Sequence, residues 1–461
     1  MLTDLGLRTD IALSTHALSR RHLFRAAIIA IGLSFASAQV GPVYAADPQK
    51  WAASWTASAH GPFPSGNAVA QPDLSFAFPT PQANDQTFRL IVRPNLWSKQ
   101  FRLRFSNVFG AQPVTFDDVF LGLQRSAGAI VADSNRLVQF GGQRSVTVAP
   151  GTFVYSDPIR LEYVDNEEKF YLDGRKLAVS FHVVGTSGPM TWHAKALQTS
   201  YVTLPGAGSH SEDESDQAFP NSTTSWYFLD VVDAMAPADT AVIVAFGDSI
   251  TDGTASTLNG DDRWPDVVSR RMHAAYGNHV SVVNEGIGGN QVVGPAVYSP
   301  QMPVSGGPSA ISRLDRDVLS LSGVSGVIWL EGINDLGAGT LADSVTGGIK
   351  QVVGTLHHRG IKVIQATITS SVGNTGADGN PSVNAARQVI NSFIRTAGIF
   401  DGVADFDAVT VDPATGAIKA QFLVNSTLGT IDHLHPNRAG YLAMGNAVDI
   451  GIFAPRHIAK R

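Results

Sequence analysis

The chain has 461 residues, 44% hydrophobic and 16% charged, which excludes a largely disordered chain and a coiled coil. It has no cysteine, which excludes disulfides, thiolate metal sites and a cysteine nucleophile. The net charge of −6 comes without a basic run or stripe, so no nucleic-acid partner is expected.

The first 45 residues read as an export signal rather than as fold. Ser19-Arg20-Arg21-His22-Leu23-Phe24-Arg25 precedes a short apolar run from Ala26 to Ala38. Val43-Tyr44-Ala45 then supplies small residues where a signal peptidase cuts. The paired arginines resemble a twin-arginine signal, so a periplasmic or extracellular location is expected. The apolar run is short for a membrane span, and no other span of about 20 apolar residues follows. The exported chain is therefore expected to be soluble, without stable membrane insertion. Removing four arginines and two aspartates leaves 29 basic and 37 acidic residues, a charge of −8.

From about Trp51 to Tyr227 the apolar positions alternate. Phe101, Leu103 and Phe105 interleave with Arg102 and Arg104; Val119, Leu121 and Leu123 form a second run. Leu177, Val179, Phe181 and Val183 form a third. Side chains on a strand point alternately to opposite faces, so these runs predict strands with one buried face. Turns are predicted at Asn107–Pro113, Gly141-Gly142, Ala149-Pro150-Gly151 and Gly185–Pro189. An all-β, jelly-roll-like sandwich over 46–238 is the expected result. Trp51, Trp55, Trp97 and Trp192 have two readings, as platforms for sugar rings or as filling of the sandwich core. His193 likewise reads as a structural histidine or as one that reaches a cleft.

After Met235-Ala236-Pro237-Ala238-Asp239 the pattern changes. Continuous apolar runs appear at Ala241–Phe246, Val280–Val283 and Gly326–Leu330, with weaker ones at Lys362–Thr367 and Gly402–Phe406. Strands buried on both faces read this way. Helical patterns lie between them, around Trp264–Tyr276, Ser309–Leu319, Val345–His358 and Pro381–Thr396. The alternation predicts a three-layer α/β domain over 239–461.

Four polar elements follow in chain order. Gly247-Asp248-Ser249-Ile250-Thr251-Asp252-Gly253 ends the first run, where open α/β sheets place their sites. Ser249 fits a nucleophile there, and the stretch also fits an ordinary strand-to-helix turn. Asn284-Glu285-Gly286-Ile287-Gly288-Gly289-Asn290 ends the second run, and its spacing does not match a dinucleotide loop. Glu331-Gly332-Ile333-Asn334-Asp335 ends the third; Asn334 reads as a hydrogen-bond donor or a helix cap. Asp432-His433-Leu434-His435-Pro436-Asn437 is last. Its three-residue spacing lets Asp432 orient the His435 imidazole as a base. A metal site on Asp432, His433 and His435 is the competing reading.

Taken together, GDSIT, NEGIGGN, GIND and DHLHP resemble the four blocks of the SGNH, or GDSL, hydrolase family over about 240–450. Ser249, Gly289, Asn334 and His435 stand at its four namesake positions, with Gly288 and His433 as the neighbouring alternatives. The resemblance implies a flavodoxin-like α/β/α fold and hydrolysis of carboxylic esters. It implies Ser249, His435 and Asp432 as the catalytic triad. It implies an oxyanion hole from Ser249 N–H, Gly289 N–H and the Asn334 amide. No metal or organic cofactor is implied. The partner expected is a small-molecule or polysaccharide ester, with carbohydrate O-acetyl esterase as one specific activity. A non-catalytic binding protein on the same scaffold is the rival, and it predicts a lost catalytic residue; none is lost. No pattern specifies an oligomeric state.

Overall fold

The computed structural model describes residues 48–68, 71–164, 172–424 and 432–455, so the export-signal segment lies outside the described residues. Strands through Pro237 form antiparallel sheets, and those from Ala241 form one parallel sheet.

The first sheet of the β-rich half runs in the order Gln49–Thr56, Leu229–Pro237, Gln100–Ser106, Ile159–Arg160. The second has Gln82–Val92, Leu177–Pro189 and Val114–Ser126 side by side. Their apolar faces meet through aromatic rings. Phe105 of the first sheet lies 5.1 Å from Phe181 and 5.0 Å from Phe116 of the second, centroid to centroid. This is the two-layer arrangement that alternation predicts.

Two expectations need correction. Gly185–Pro189 is not a turn between strands. The strand runs through it, and the register with Gln82–Val92 slips between Val183 and Thr186 and again between Thr186 and Pro189. Gly185 and Gly188 take positive φ there, so the glycines make bulges. The arginine-bearing face of Gln100–Ser106 is not in water either. Arg104 makes a two-pronged pair with Asp230, at 2.8 and 3.1 Å, and Arg102 pairs with Asp233. Both also donate into the other half, to Ser320 Oγ and Ser322 Oγ.

The parallel sheet contains β1 (Ala241–Gly247), β2 (Val280–Gly286), β3 (Val324–Leu330), β4 (Lys362–Ala366) and β5 (Gly402–Ala404), ordered β2-β1-β3-β4-β5. Chain direction across the sheet reverses at β1, so right-handed crossovers put helices on both faces. Trp264–Tyr276 packs with Arg438–Ala447; Ala342–His358 packs with Pro381–Thr396. The carboxyl ends of β1, β2 and β3 adjoin at this reversal, the usual place for a site.

One hydrophobic core spans both halves. Strand Gln49–Thr56 lies along β2, where Ser281 Oγ donates to Ala53 O and Ser58 Oγ donates to Gly286 O. Among the described residues no helix is long and apolar enough to cross a membrane.

Candidate active site

β1 ends at Gly247, and the chain turns at once into the one-turn helix Ser249–Asp252. The turn is tight. A Cβ on Gly247 would lie 2.2 Å from Leu330 O and 2.5 Å from Thr251 Oγ1, so only glycine fits. The Asp248 carboxylate caps the helix by accepting from Ile250 N–H at 3.0 Å. Ser249 is thereby presented at the helix start, with its own N–H outside the helical ladder.

Ser249 Oγ lies 2.8 Å from His435 Nε2. The other ring nitrogen, Nδ1, lies 2.6 Å from Asp432 Oδ2. Asp432 Oδ1 accepts from the backbone N–H groups of Leu434 and His435, at 2.7 and 2.9 Å. The bent DHLHP segment thus folds back on its own aspartate. His433 turns elsewhere, with its ring beside Gly373. The alternative between the two histidines is resolved by position: His435 meets the serine.

The glycine loop after β2 also resolves by position. Gly288 N–H donates to Asp252 Oδ2 at 2.9 Å, so it is occupied. Gly289 has φ +82°, and its N–H has no acceptor among the described residues. Asn334 Nδ2 donates to Asn290 O at 2.9 Å. An amide nitrogen carries two hydrogens, so one stays free for a ligand. Four blocks far apart in the sequence therefore converge on one place.

Residues 245–443 match the GDSL-like Lipase/Acylhydrolase family, and that stretch holds Ser249, Gly289, Asn334, Asp432 and His435. The α/β half is a GDSL-like lipase/acylhydrolase domain. Among solved structures, a lipase/acylhydrolase from Enterococcus faecalis is 24% identical, with 47% of this chain and 99% of that one covered and a TM-score of 0.36. A lipolytic protein of the G-D-S-L family from Veillonella parvula is 20% identical, covering 45% and 96%, TM-score 0.32. A carbohydrate acetylesterase family member from Sinorhizobium meliloti is 14% identical, covering 46% and 97%, TM-score 0.33. No curated protein matches the chain.

Within the GDSL-like domain the carboxyls beside the serine differ in charge. Burial pushes Asp432 up, but its hydrogen bond to His435, the imidazole charge and two backbone N–H groups hold it down to about 2. Burial pushes Asp248 up to about 7 and Glu331 up to about 8, despite partial relief from Lys195 and Arg313 respectively. The environment therefore favours the ionised form of Asp432 and the protonated form of Glu331. Among the described residues no group of three or more acids and histidines is arranged to hold a metal ion.

Three further residues support the site. Arg313 is buried and its guanidinium donates to Gly247 O, Glu285 O and the Asn290 side chain. It ties the ends of β1 and β2 to the glycine loop from a helix that reads only as amphipathic. Asp252 receives Gly288 N–H on one oxygen and has His193 Nε2 3.2 Å from the other. His193 comes from the β-rich half, and its Nδ1 donates to Ser58 O. It supports the nucleophile turn from behind and does not reach the serine.

The tryptophans fill the core: Trp55, Trp97 and Trp192 are 6%, 8% and 3% exposed. Trp51 lies under the Arg102 guanidinium. A cavity of about 620 Å³ opens at the seam of the two halves near Trp55, Trp97 and Trp226, and Ser249 and His435 are not in its wall.

Proposed function

We propose that the chain is an exported serine esterase that cleaves carboxylic esters of short or medium acyl chains through an acyl-enzyme on Ser249. The observation that carries this reading is the continuous contact Ser249 Oγ–His435 Nε2–His435 Nδ1–Asp432, at 2.8 and 2.6 Å. Ionised Asp432 keeps the proton on Nδ1, which leaves Nε2 as an acceptor for the serine hydroxyl proton. Ser249 Oγ attacks the ester carbonyl carbon, and His435 takes its proton. The carbonyl oxygen becomes an oxyanion, facing Ser249 N–H, Gly289 N–H and the free amide hydrogen of Asn334. When the intermediate collapses, His435 protonates the departing alcohol. Water then attacks the acyl-enzyme with His435 again as base, and the carboxylic acid leaves.

Export would run through the Ser19–Arg25 segment and cleavage after Ala45. Replacing Arg20 and Arg21 by lysine should trap the chain in the cytoplasm; unchanged export would rule out the twin-arginine route.

The catalytic reading is tested on p-nitrophenyl esters of two to twelve acyl carbons and on an acetylated sugar, with wild type and Ser249→Ala. Turnover should be highest on the shorter chains and absent in S249A. Equal rates in both proteins would overturn the serine mechanism.

A further inference from the structure

The β-rich half reaches the serine loop at several points, and one segment lies against it most closely. Thr191–His193 is a strand, and residues 194–198 continue along the loop that follows the nucleophile. Asn259 N–H donates to Leu197 O at 2.9 Å, and Gln198 Nε2 donates to Asn259 Oδ1 at 2.8 Å. The Arg263 guanidinium donates to Ala196 O. At the centre of this contact is Lys195, 1% exposed.

Its Nζ donates to Thr254 Oγ1, five residues past the serine. It also lies 2.7 Å from the point where a Cβ on Gly288 would sit, so the ammonium rests against the glycine loop one residue before Gly289. An ammonium has three donors, and Thr254 uses one. Burial pulls Lys195 below its ordinary value, while Asp252, Asp248 and Asp432 favour its charge. Among the described residues these carboxylates act on Nζ through space, without a hydrogen bond to it. A buried cation without a contacting anion is costly, and an apolar side chain of similar length would fill the same space. Beyond the standing charge of these carboxylates, the reaction proposed above forms new negative charge at the oxyanion hole, beside the same glycine loop.

We propose that Lys195 is an electrostatic positioning residue for the esterase reaction, a cation supplied by the β-rich half that stabilises the oxyanion held by Gly289, Ser249 and Asn334. The inference rests on the serine-esterase reading. It gives the β-rich half a part in catalysis rather than in substrate capture. In a site screened from water, a unit charge close to but not touching the oxyanion is worth about 10–100-fold in rate.

The test compares wild type, Lys195→Met and Thr254→Val on p-nitrophenyl acetate, with thermal unfolding of each and inhibition by phenylboronic acid. The boronate adduct of Ser249 carries the tetrahedral negative charge. K195M should lose about 10–100-fold in kcat with KM within threefold, and the boronate should weaken by the same factor. T254V removes the anchor but keeps the charge. It should lose about three- to tenfold in kcat, again matched by the boronate, and it decides the matter if K195M does not fold. A merely structural lysine would lower the unfolding temperature without that match. Folded variants with kcat within twofold of wild type, or a kcat loss without weaker boronate binding, would overturn the inference. S249A separates the two claims. An active S249A sinks the esterase reading; an inactive S249A beside wild-type kcat in K195M and T254V sinks only the role of Lys195.

Discussion

The two halves are built from strands that bury their faces differently. In the parallel sheet β1 is buried along its whole length and β3 from Gly326 onward, and the sequence there is apolar without a break. In the first antiparallel sheet one face packs on the sandwich core, and the other carries Arg102, Arg104, Asp230 and Asp233. That second face is also covered, by the GDSL-like domain. Alternation thus reports which face is apolar, and it does not report which face is wet. A polar face can be buried when its charges pair with one another and with a neighbour's hydroxyls.

The comparison assigns the chemistry to one half and much of the supporting contact to the other, and it can be broken at several points. The largest effect is expected from His435→Ala, which removes the base. Turnover of p-nitrophenyl acetate should fall about 10⁴-fold or more, with folding unchanged by circular dichroism. A loss below tenfold would move the base elsewhere. Next is Asp230→Ala, in the β-rich half, which leaves the buried Arg104 without its counter-charge. Unfolding free energy in urea should fall by about 3–5 kcal/mol. A change below 1 kcal/mol would mean that the seam is wet and the halves are loosely joined.

Asn334→Ala removes one oxyanion donor and should cost about 10²–10³ in kcat, with KM little changed. Loss confined to KM would place Asn334 in substrate binding instead.

The smallest effect is a pH dependence of stability. Glu331 is buried, with one oxygen accepting from Trp329 Nε1 and the other without a hydrogen-bond partner among the described residues, and its carboxyl is raised to about 8. A carboxyl raised on folding binds its proton more tightly in the native state. Its contribution is therefore full below the ordinary glutamate range and is lost as pH rises toward 8. Asp432 has the opposite sign: its contribution is present above the ordinary aspartate range and disappears toward pH 2. Between pH 5 and 8 the wild-type unfolding temperature should fall relative to that of Glu331→Gln. Parallel curves would show that Glu331 is already ionised in the folded protein.

How much of this was legible follows the same division. The blocks that hold Ser249, Gly289, Asn334 and His435 stood out because each follows a strand-like run or closes the chain's last motif, and only the family resemblance gave those residues their roles. The strands of the sandwich could be read from Phe101, Leu103, Phe105 and their counterparts. Gly185–Pro189 was misread as a turn because glycine marks bulges as well as turns. Arg313 and Lys195 could not be read at all, and His193 could be read only as a structural histidine or as one that reaches a cleft. Each is a single polar residue whose partners lie far away in sequence, and no periodicity encodes that meeting. The three-residue spacing from Asp432 favours His435 over His433 in the sequence itself, whereas Gly288 and Gly289 are adjacent glycines told apart by coordinates, in which the Gly288 N–H is already given to Asp252.

The central claim is that Ser249 is the nucleophile, and it is tested most directly by covalent capture. The protein would be incubated with a p-nitrophenyl alkylphosphonate, weighed intact by mass spectrometry, and digested to locate the adduct. One phosphonyl group per chain, on the peptide containing Ser249 and absent from S249A, is the predicted result. An adduct on another residue, or full esterase activity in protein that takes up none, would contradict it.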